Sequence, residues 1–381
     1  MPERGPRLRR ARSLFAYWED GHLVFHNFAR RRTVFAKPVT CEVLDFFWKW
    51  RTAEEAITRF NEYSQRSVRA SVSQLLKQGL LLAKNSPEAA HDSQVAAEWS
   101  SWLPEGSFHF STKDAGYVHD DWSLDQLKSR LPKTPPPKLF KTVRGRKKTL
   151  PPRNFPHSEF TRVLLARKTH RRFSKHELKL ETISQLLSLV WGVTGYVHSP
   201  LFGKLLRKTS PSGGARHPGE VYLMALRVKG LRPGLYHYHP GKHYLATISN
   251  NATRTKAWNY CAHQGHVKNA AALFLMTAMF PRTMWKYQHP RAYRVVLLDA
   301  GHLCQTFCLV ATWLGLAPFC TAALKDTLIE RDLGIDGITE SVVYVAGVGL
   351  PVANDRNTTY DLGASDATMA SKRGSPRKES Q

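Results

Sequence analysis

A loop of small residues precedes a predicted strand in the middle of the chain. Pro211, Ser212, Gly213 and Gly214 stand together, and the strand is predicted over residues 220–228. Glycines free the backbone angles that a tight loop needs, and their missing side chains let a flat ligand approach the backbone. An ordinary turn before a strand uses the same residue types. The loop alone therefore leaves a ligand site and a plain turn both open.

Two basic motifs could supply further chemistry. Arg167, Thr169 and Arg171 alternate over a short stretch, and two guanidinium groups with a hydroxyl suit a phosphate. Farther along, Lys286 stands beside Tyr287. An ammonium close to a phenol stabilises the phenolate, so such a pair can act as a general base or acid. In a chain this basic, a solvated surface is the simpler interpretation of either motif taken alone.

Composition bounds the class of protein. The chain has 381 residues, of which 42% are hydrophobic, and this favours two domains with a sizeable core. Lys and Arg number 56 against 30 acidic residues, giving a formal charge of +26. Such an excess favours anionic partners, including nucleic acid, although no motif favours a nucleic acid in particular. The five cysteines form no CxxC pair, which fits reduced thiols in a cytoplasmic protein.

Two cysteines raise the question of a metal. Cys304 and Cys308 are four residues apart in an apolar segment without a further ligand pattern, so buried core thiols are favoured and we predict no metal site. The basic start of the chain is not followed by an apolar segment, which argues against a secretory signal. The sequence contains no run of 18 apolar residues, so we predict no membrane span.

The first part of the chain has the pattern of a small winged-helix-like module over residues 13–84. Residues 14–28 are typical of a hairpin, and a capping box at Thr52 begins the second of three predicted helices. The face of the first helix is predicted to contain Val43, Phe46, Phe47 and Trp50. Such a module can bind DNA, or it can add a peptide to the edge of its sheet.

The rest of the chain divides into a connecting segment, a larger domain and a tail. Residues 85–154 connect, and within them 128–153 hold ten basic residues, six prolines and no acid, typical of an extended arm. Residues 155–352 alternate helices with non-sequential strands, which predicts an α+β domain. Its predicted strands are 220–228, 234–238, 244–248, 271–279 and 341–346, and its apolar helix is 300–314. The polar tail, 363–381, is predicted to be disordered.

The order of motifs over residues 155–352 resembles the flavin-dependent nitroreductase superfamily, and within it the SagB-type (azoline dehydrogenase) branch. The matching segments are R-K-T-H-R-R-F at 167–173, V-W-G at 190–192, P-S-G-G-A-R-H-P-G-E-V-Y at 211–222, P-G-L-Y-H-Y at 233–238, W-K-Y with R-A-Y-R and L-L-D-A-G-H at 285–302, and L-G-L-A-P with L-G-I-D at 314–336. The first part of the chain resembles, more loosely, the precursor-recognition element of ribosomal peptide modification systems.

The resemblance implies a nitroreductase-like central mixed or antiparallel sheet flanked by helices, in an intertwined homodimer with FMN between the subunits. The residues it assigns to the phosphate and ribityl end of FMN are Arg167, Thr169 and Arg171. Those it assigns to the flavin ring are Pro211, Ser212, Gly213 and Gly214. Lys286 and Tyr287 match the catalytic pair of the branch.

The activity implied is an FMN-dependent oxidation of a thiazoline or oxazoline ring in a ribosomally made peptide to the azole. A base takes a proton from the ring, a hydride or its equivalent passes to the flavin, and aromaticity supplies the driving force. Tyr287 is the candidate base with Lys286 tuning it, or the roles are reversed. The resemblance also implies that residues 13–84 hold the precursor peptide, and it makes a cyclodehydratase a further candidate partner.

Two other functions remain open from the sequence. One is an NAD(P)H-dependent, nitroreductase-like reductase of small electrophiles. The other is a flavin-less scaffold that binds nucleic acid or peptide. The chain also departs from the family pattern, because Cys320-Thr321-Ala322 stands where a Gly-Gly or Gly-Ala pair is common. The charge excess points to an unusual substrate, such as a strongly acidic peptide or a peptide attached to RNA.

Overall fold

Short strands and helices alternate along residues 5–103, 105–116, 128–130, 132–134, 136–141, 144–151 and 154–352, which this computed structural model describes. The strands are β1 (Leu8–Arg10), β2 (Leu14–Glu19), β3 (His22–Asn27), β4 (Arg32–Ala36), β5 (Leu81–Ala83), β6 (Leu178–Lys179), β7 (Gly195–Ser199), β8 (Gly203–Arg207), β9 (Gly219–Ala225), β10 (Val228–Lys229), β11 (Gly234–His239), β12 (Tyr244–Ser249), β13 (Ala272–Met279), β14 (Ala317–Thr321) and β15 (Glu340–Gly349). The α-helices are α1 (Val39–Phe46), α2 (Ala53–Arg59), α3 (Gln65–Lys77), α4 (Pro87–Glu98), α5 (Glu105–Ser111), α6 (Glu159–Ala166), α7 (Leu180–Trp191), α8 (Arg254–Tyr260), α9 (Phe280–Met284), α10 (Ala292–Trp313) and α11 (Asp326–Leu333). The tail predicted at 363–381 lies outside these residues.

A six-stranded sheet forms the centre of the C-terminal half. Its strand order is β12-β11-β9-β13-β15-β14, and every neighbouring pair is antiparallel. The central strand β13 is buried along nearly its whole length, as its unbroken apolar sequence predicts for a strand covered on both faces. The predicted α+β class is confirmed, and the sheet is antiparallel rather than mixed.

The long helix α10 packs on this sheet and begins earlier than predicted. The sequence pattern placed its start at Ala300, but the helix begins at Ala292. Tyr293 and Val296 are buried and extend the core face of the helix toward its N-terminus. The exposed Arg294 between them obscured this face in the sequence. Asp299 therefore lies within the helix and not at its opening. By length and composition α10 could also span a membrane, although 44% of its most apolar 18-residue stretch is buried inside the protein.

The N-terminal module contains more strands than predicted. Strand β4 extends the predicted hairpin into the three-stranded sheet β2-β3-β4. Strand β1, which precedes the predicted start of the module at residue 13, pairs with β5. Helix α1 ends at Phe46, so Phe47 and Trp50, which were predicted on its face, lie after the helix. The capping box at Thr52 is confirmed, because its hydroxyl accepts from Glu55 N at 3.2 Å while the Glu55 carboxylate accepts from Thr52 N at 2.6 Å. The winged-helix interpretation itself stays a prediction.

Among the described residues of the connecting segment, α4 and α5 are helices that the weak sequence pattern did not reveal. Around α4 and α5, Trp99 and Trp102 are fully buried in one cluster with Phe280 and Tyr293 of the C-terminal half. The ring centres of Trp99 and Phe280 lie 4.8 Å apart. The segment thus belongs to the core around the start of α10. The described residues of the basic arm, in contrast, are exposed.

Candidate active site

The glycine loop before β9 is anchored to α10 by one carboxylate. Ser212 Oγ donates to Asp299 Oδ2 at 2.5 Å, and Gly213 N donates to Asp299 Oδ1 at 3.2 Å. Ser212 Oγ also accepts from His217 N at 2.9 Å, which closes the loop on itself. Burial raises the pKa of Asp299, and the two hydrogen bonds that it accepts partly offset this effect. Asp299 therefore holds the loop in one shape.

Lys286 and Tyr287 lie directly against this loop. Gly214 has a φ of +60°, which favours glycine, and a Cβ added there would collide with the Tyr287 hydroxyl. The same Cβ would lie 2.8 Å from Lys286 Nζ. The structure therefore brings the predicted catalytic pair and the predicted ring-lining loop into one place, although 72 residues separate Gly214 from Lys286. The glycine makes the space in which the two polar groups end.

The backbone of the predicted catalytic pair is fixed by two neighbours. Lys286 N and Tyr287 N both donate to Thr283 O, at 3.2 and 2.9 Å, as the chain leaves α9. Trp102 Nε1 donates to Tyr287 O at 2.8 Å from the connecting segment. Because Trp102 is fully buried, this bond ties the pair to the core cluster around α5. Trp102 was not singled out from the sequence, since nothing in its spacing relates it to Tyr287.

An aromatic wall stands beside Lys286. Phe202, at the turn between β7 and β8, lies with its ring centre 4.4 Å from Lys286 Nζ and 6.1 Å from the ring centre of Trp285. The Arg216 guanidinium lies 5.3 Å from the Trp285 ring. Cation–π contacts of this kind hold a cation in a partly exposed cleft. The wall is apolar and basic together, which suits a flat or anionic ligand.

Charged groups continue behind the loop. Arg282 pairs with Glu220 at 2.6 Å and donates to His217 O at 3.1 Å. Burial alone would raise the pKa of Glu220, but the hydrogen bond from His237 and the charge of Arg282 together hold this pKa below its usual value. Burial, with the nearby Lys208 cation, lowers the pKa of His217 to about 4. The neutral His217 ring lies with Nε2 3.1 Å from Leu206 O, so it can donate there.

The predicted phosphate motif lies elsewhere in the chain. It follows α6 and runs beside β14, where His170 N donates to Pro318 O at 2.9 Å. In the sheet, Pro318 of β14 pairs with Val348, near the end of β15. The start of β9 lies level, across β13, with Ser341 near the beginning of β15. These two levels of β15 are about 23 Å apart at a usual strand rise. Within one chain the structure therefore does not bring the phosphate motif to the glycine loop.

The three residues of that motif differ in exposure. Thr169 and Arg171 are exposed, and Arg167 is half-buried at the end of α6. Of the four loop residues, Pro211 is exposed while Ser212, Gly213 and Gly214 are half-buried. Sequence reasoning gave no role to Asp299, although a single carboxylate inside the apolar run V-V-L-L-D-A-G was a usable signal.

Comparison with known proteins identifies the family. The model of the nitroreductase family matches residues 164–350. A Methanocaldococcus jannaschii protein named as a nitroreductase is 30% identical over 176 residues, covering 45% of this chain and 83% of that protein. The chain belongs to the nitroreductase family. It is therefore an oxidoreductase, and flavin dependence is typical of that family.

Two further relatives are named for peptide processing. The trifolitoxin-processing protein TfxB of Rhizobium leguminosarum bv. trifolii is 27% identical over 316 residues, covering 79% of this chain and 85% of the relative. The microcin B17-processing protein McbC of Escherichia coli is 27% identical over 180 residues, covering 46% of this chain and 63% of the relative. The predicted resemblance to the SagB-type branch is confirmed by these similarities.

Proposed function

We propose that the protein is an FMN-dependent dehydrogenase that oxidises thiazoline or oxazoline rings in a ribosomally made peptide to azoles. The observation that carries the proposal is the convergence of Lys286 and Tyr287 on Gly214. A general acid or base pair beside side-chain-free backbone is what an enzyme needs to remove a proton next to a flat redox cofactor. The similarity to two peptide-processing proteins supports a peptide as the substrate.

The residues present fit FMN when two copies of the chain are considered. The loop at Ser212, Gly213 and Gly214 offers backbone where the isoalloxazine ring needs a close approach. Arg167, Thr169 and Arg171 offer cations and a hydroxyl to a phosphate. Within one chain these two sets lie at opposite ends of the sheet. Each flavin would therefore be held by the glycine loop of one copy and the arginine motif of the other. This arrangement supports the homodimer that the family resemblance implies.

An exposed apolar face agrees with such a dimer. On α10 the side chains of Leu297 and Leu298 are 39% and 55% exposed, although the opposite face of the helix is core. Trp313 at the end of α10 and Phe160 on α6 are also exposed. Large apolar side chains that share one helix with the core are typical of an interface between subunits. We infer that α10 and α6 contribute to it.

The chain's own residues would perform the proton transfer. Bound FMN would supply the acceptor for the two electrons that leave the azoline ring. The Tyr287 phenolate would take the proton from the ring carbon, and the Lys286 ammonium would stabilise that phenolate, or Lys286 in its neutral form would take the proton itself. Trp102 and Thr283 hold the backbone of the pair in place, so its distance from the loop is fixed before substrate binds.

The N-terminal module is proposed to hold the precursor peptide. A groove of about 710 Å³ runs between β1, β2 and α1. Its lining includes the charged residues Arg10, Arg12 and Asp45 and the apolar residues Phe25, Leu44 and Trp48. Strand β2 is an edge strand of its sheet, so its free backbone groups can pair with an added strand. Arg10 pairs with Asp45 at 3.3 Å, while Arg12 and the net charge of +26 favour an acidic peptide segment. A cyclodehydratase that makes the azoline is the partner that this substrate requires.

The test is turnover of a defined substrate. The flavin-loaded full-length chain is incubated aerobically with its precursor peptide carrying one preformed thiazoline, and the peptide mass is followed. We expect the loss of one pair of hydrogens for each ring, together with the appearance of thiazole absorbance. Rapid bleaching of the flavin by NAD(P)H with an unchanged peptide would overturn the proposal in favour of a reductase of small electrophiles.

A further inference from the structure

Three cysteine side chains meet beside β14, away from the glycine loop. Cys304 and Cys308 lie four residues apart on the buried face of α10, and Cys320 reaches them from β14. The Cys304 and Cys320 sulfurs are 2.7 Å apart, and the Cys308 and Cys320 sulfurs are 3.3 Å apart. All three sulfurs lie within 4.8 Å of one another. The spacing of Cys304 and Cys308 predicted core thiols because the third member, Cys320, is distant in sequence.

This thiol cluster lies largely inside the protein, with one cation near it. The hydrogen bonds that join the sulfurs lower the pKa of Cys308, near which the Arg167 guanidinium lies, but they raise the pKa of Cys304, and the bond to Cys308 together with burial raises the pKa of Cys320. A metal that binds all three sulfurs must therefore displace protons from Cys304 and Cys320. Cys304 and Cys308 are buried, and anionic sulfurs in such a place need a compensating cation beyond a single guanidinium. A metal ion would supply it.

The ligand set restricts which metal fits. In the part of the chain that the structure describes, no His, Asp or Glu joins the three sulfurs in this group. Structural zinc is almost always four-coordinate, whereas soft thiolate ligands also select monovalent copper. We propose that Cys304, Cys308 and Cys320 bind one Cu(I) ion in a three-sulfur site that ties α10 to β14. The proposal does not rest on the proposed dehydrogenase function.

The test uses the reduced full-length protein under anaerobic conditions. Cu(I) is offered in competition with a chromophoric Cu(I) chelator, and Zn(II) in competition with a chromophoric Zn(II) chelator. We expect one Cu(I) for each chain, an X-ray absorption spectrum with three sulfur neighbours, and weaker retention of Zn(II). Failure to retain Cu(I), tighter retention of Zn(II), or two of the three thiols remaining as a disulfide after reduction would each overturn the proposal.

Single substitutions locate the site. We expect each of three substitutions to weaken Cu(I) binding by more than about 100-fold: Cys304→Ser, Cys308→Ser and Cys320→Ser. Loss of a residue that only hydrogen-bonds to a metal ligand costs less than this. Cys261→Ser is the matched control, because Cys261 is fully buried but belongs to another core cluster. Equal binding by all four variants would overturn the proposal. If a variant does not fold, the copper stoichiometry and sulfur count of the wild-type protein still decide.

Discussion

At the scale of single residues, the proposed proton transfer depends on Lys286 and Tyr287 beside Gly214. We expect Lys286→Ala and Tyr287→Phe each to lower peptide turnover by at least about 100-fold, the usual range for loss of a general acid or base. Flavin content should stay near one for each chain, because neither side chain is assigned to the phosphate end. Turnover by mass spectrometry and flavin content by absorbance separate the two effects.

Matched controls lie on the outer edge of the sheet. Lys242 and Tyr244 are both exposed and lie two residues apart. Tyr244 begins the edge strand β12, and Lys242 precedes that strand. Lys242→Ala and Tyr244→Phe should leave turnover unchanged. Normal turnover by Lys286→Ala and by Tyr287→Phe would remove the pair from the mechanism.

His217 gives a pH dependence whose sign follows from burial. Its pKa in the folded protein is lowered from 6.5 to about 4. Between these values the unfolded chain binds more protons than the folded one, so the free energy of unfolding falls as the pH falls from 6.5 to 4. We expect this residue to contribute roughly 1–2 kcal/mol of that loss, after allowance for solvent screening.

The measurement compares wild type with His217→Asn. Asparagine tolerates the left-handed backbone that His217 adopts at a φ of +46°. Urea unfolding at pH 4, 5.5 and 7 should show a smaller acid loss in the variant than in the wild type. Parallel curves would show that His217 is not the group that titrates.

At the scale of elements, the groove between β1, β2 and α1 is proposed to hold the precursor peptide. Trp48→Ala should weaken binding of the full-length precursor by about 10-fold, since it removes a large apolar contact, while flavin content and the fold are unchanged. Phe35→Ala is the control, because Phe35 is also strongly exposed but does not line the groove. Fluorescence anisotropy with a labelled precursor measures both. Equal affinities would place the peptide elsewhere.

The elements also show how far the sequence could predict this protein. Local patterns predicted β11, β12, β13 and the capping box at Thr52, because burial and capping leave periodic or short-range signals. The candidate site residues were predicted from motif order, which preserves local chemistry, and their roles stay predictions. The hydrogen bond from Trp102 to Tyr287 and the approach of Cys320 to Cys304 could not be predicted, since both join segments whose packing no local pattern encodes.

At the scale of the whole molecule, two copies of the chain are expected to share each flavin. Leu298→Glu places a charge on the exposed face of α10 and should convert a dimer to a monomer that has lost most of its flavin. Light scattering with in-line absorbance measures mass and flavin together. Ile248→Glu, at an exposed position on the edge strand β12, should leave both unchanged. A Leu298→Glu protein that stays dimeric would remove α10 from the interface.

The most direct test is the visible spectrum of the full-length protein when freshly purified, after incubation with added FMN, and after dialysis against flavin-free buffer. We expect a yellow dimer with about one FMN for each chain, and an Arg171→Ala variant that releases FMN on dialysis while the wild type retains it. A colourless wild-type protein that binds no added FMN would contradict the account, because the glycine loop and the arginine motif would then serve no flavin.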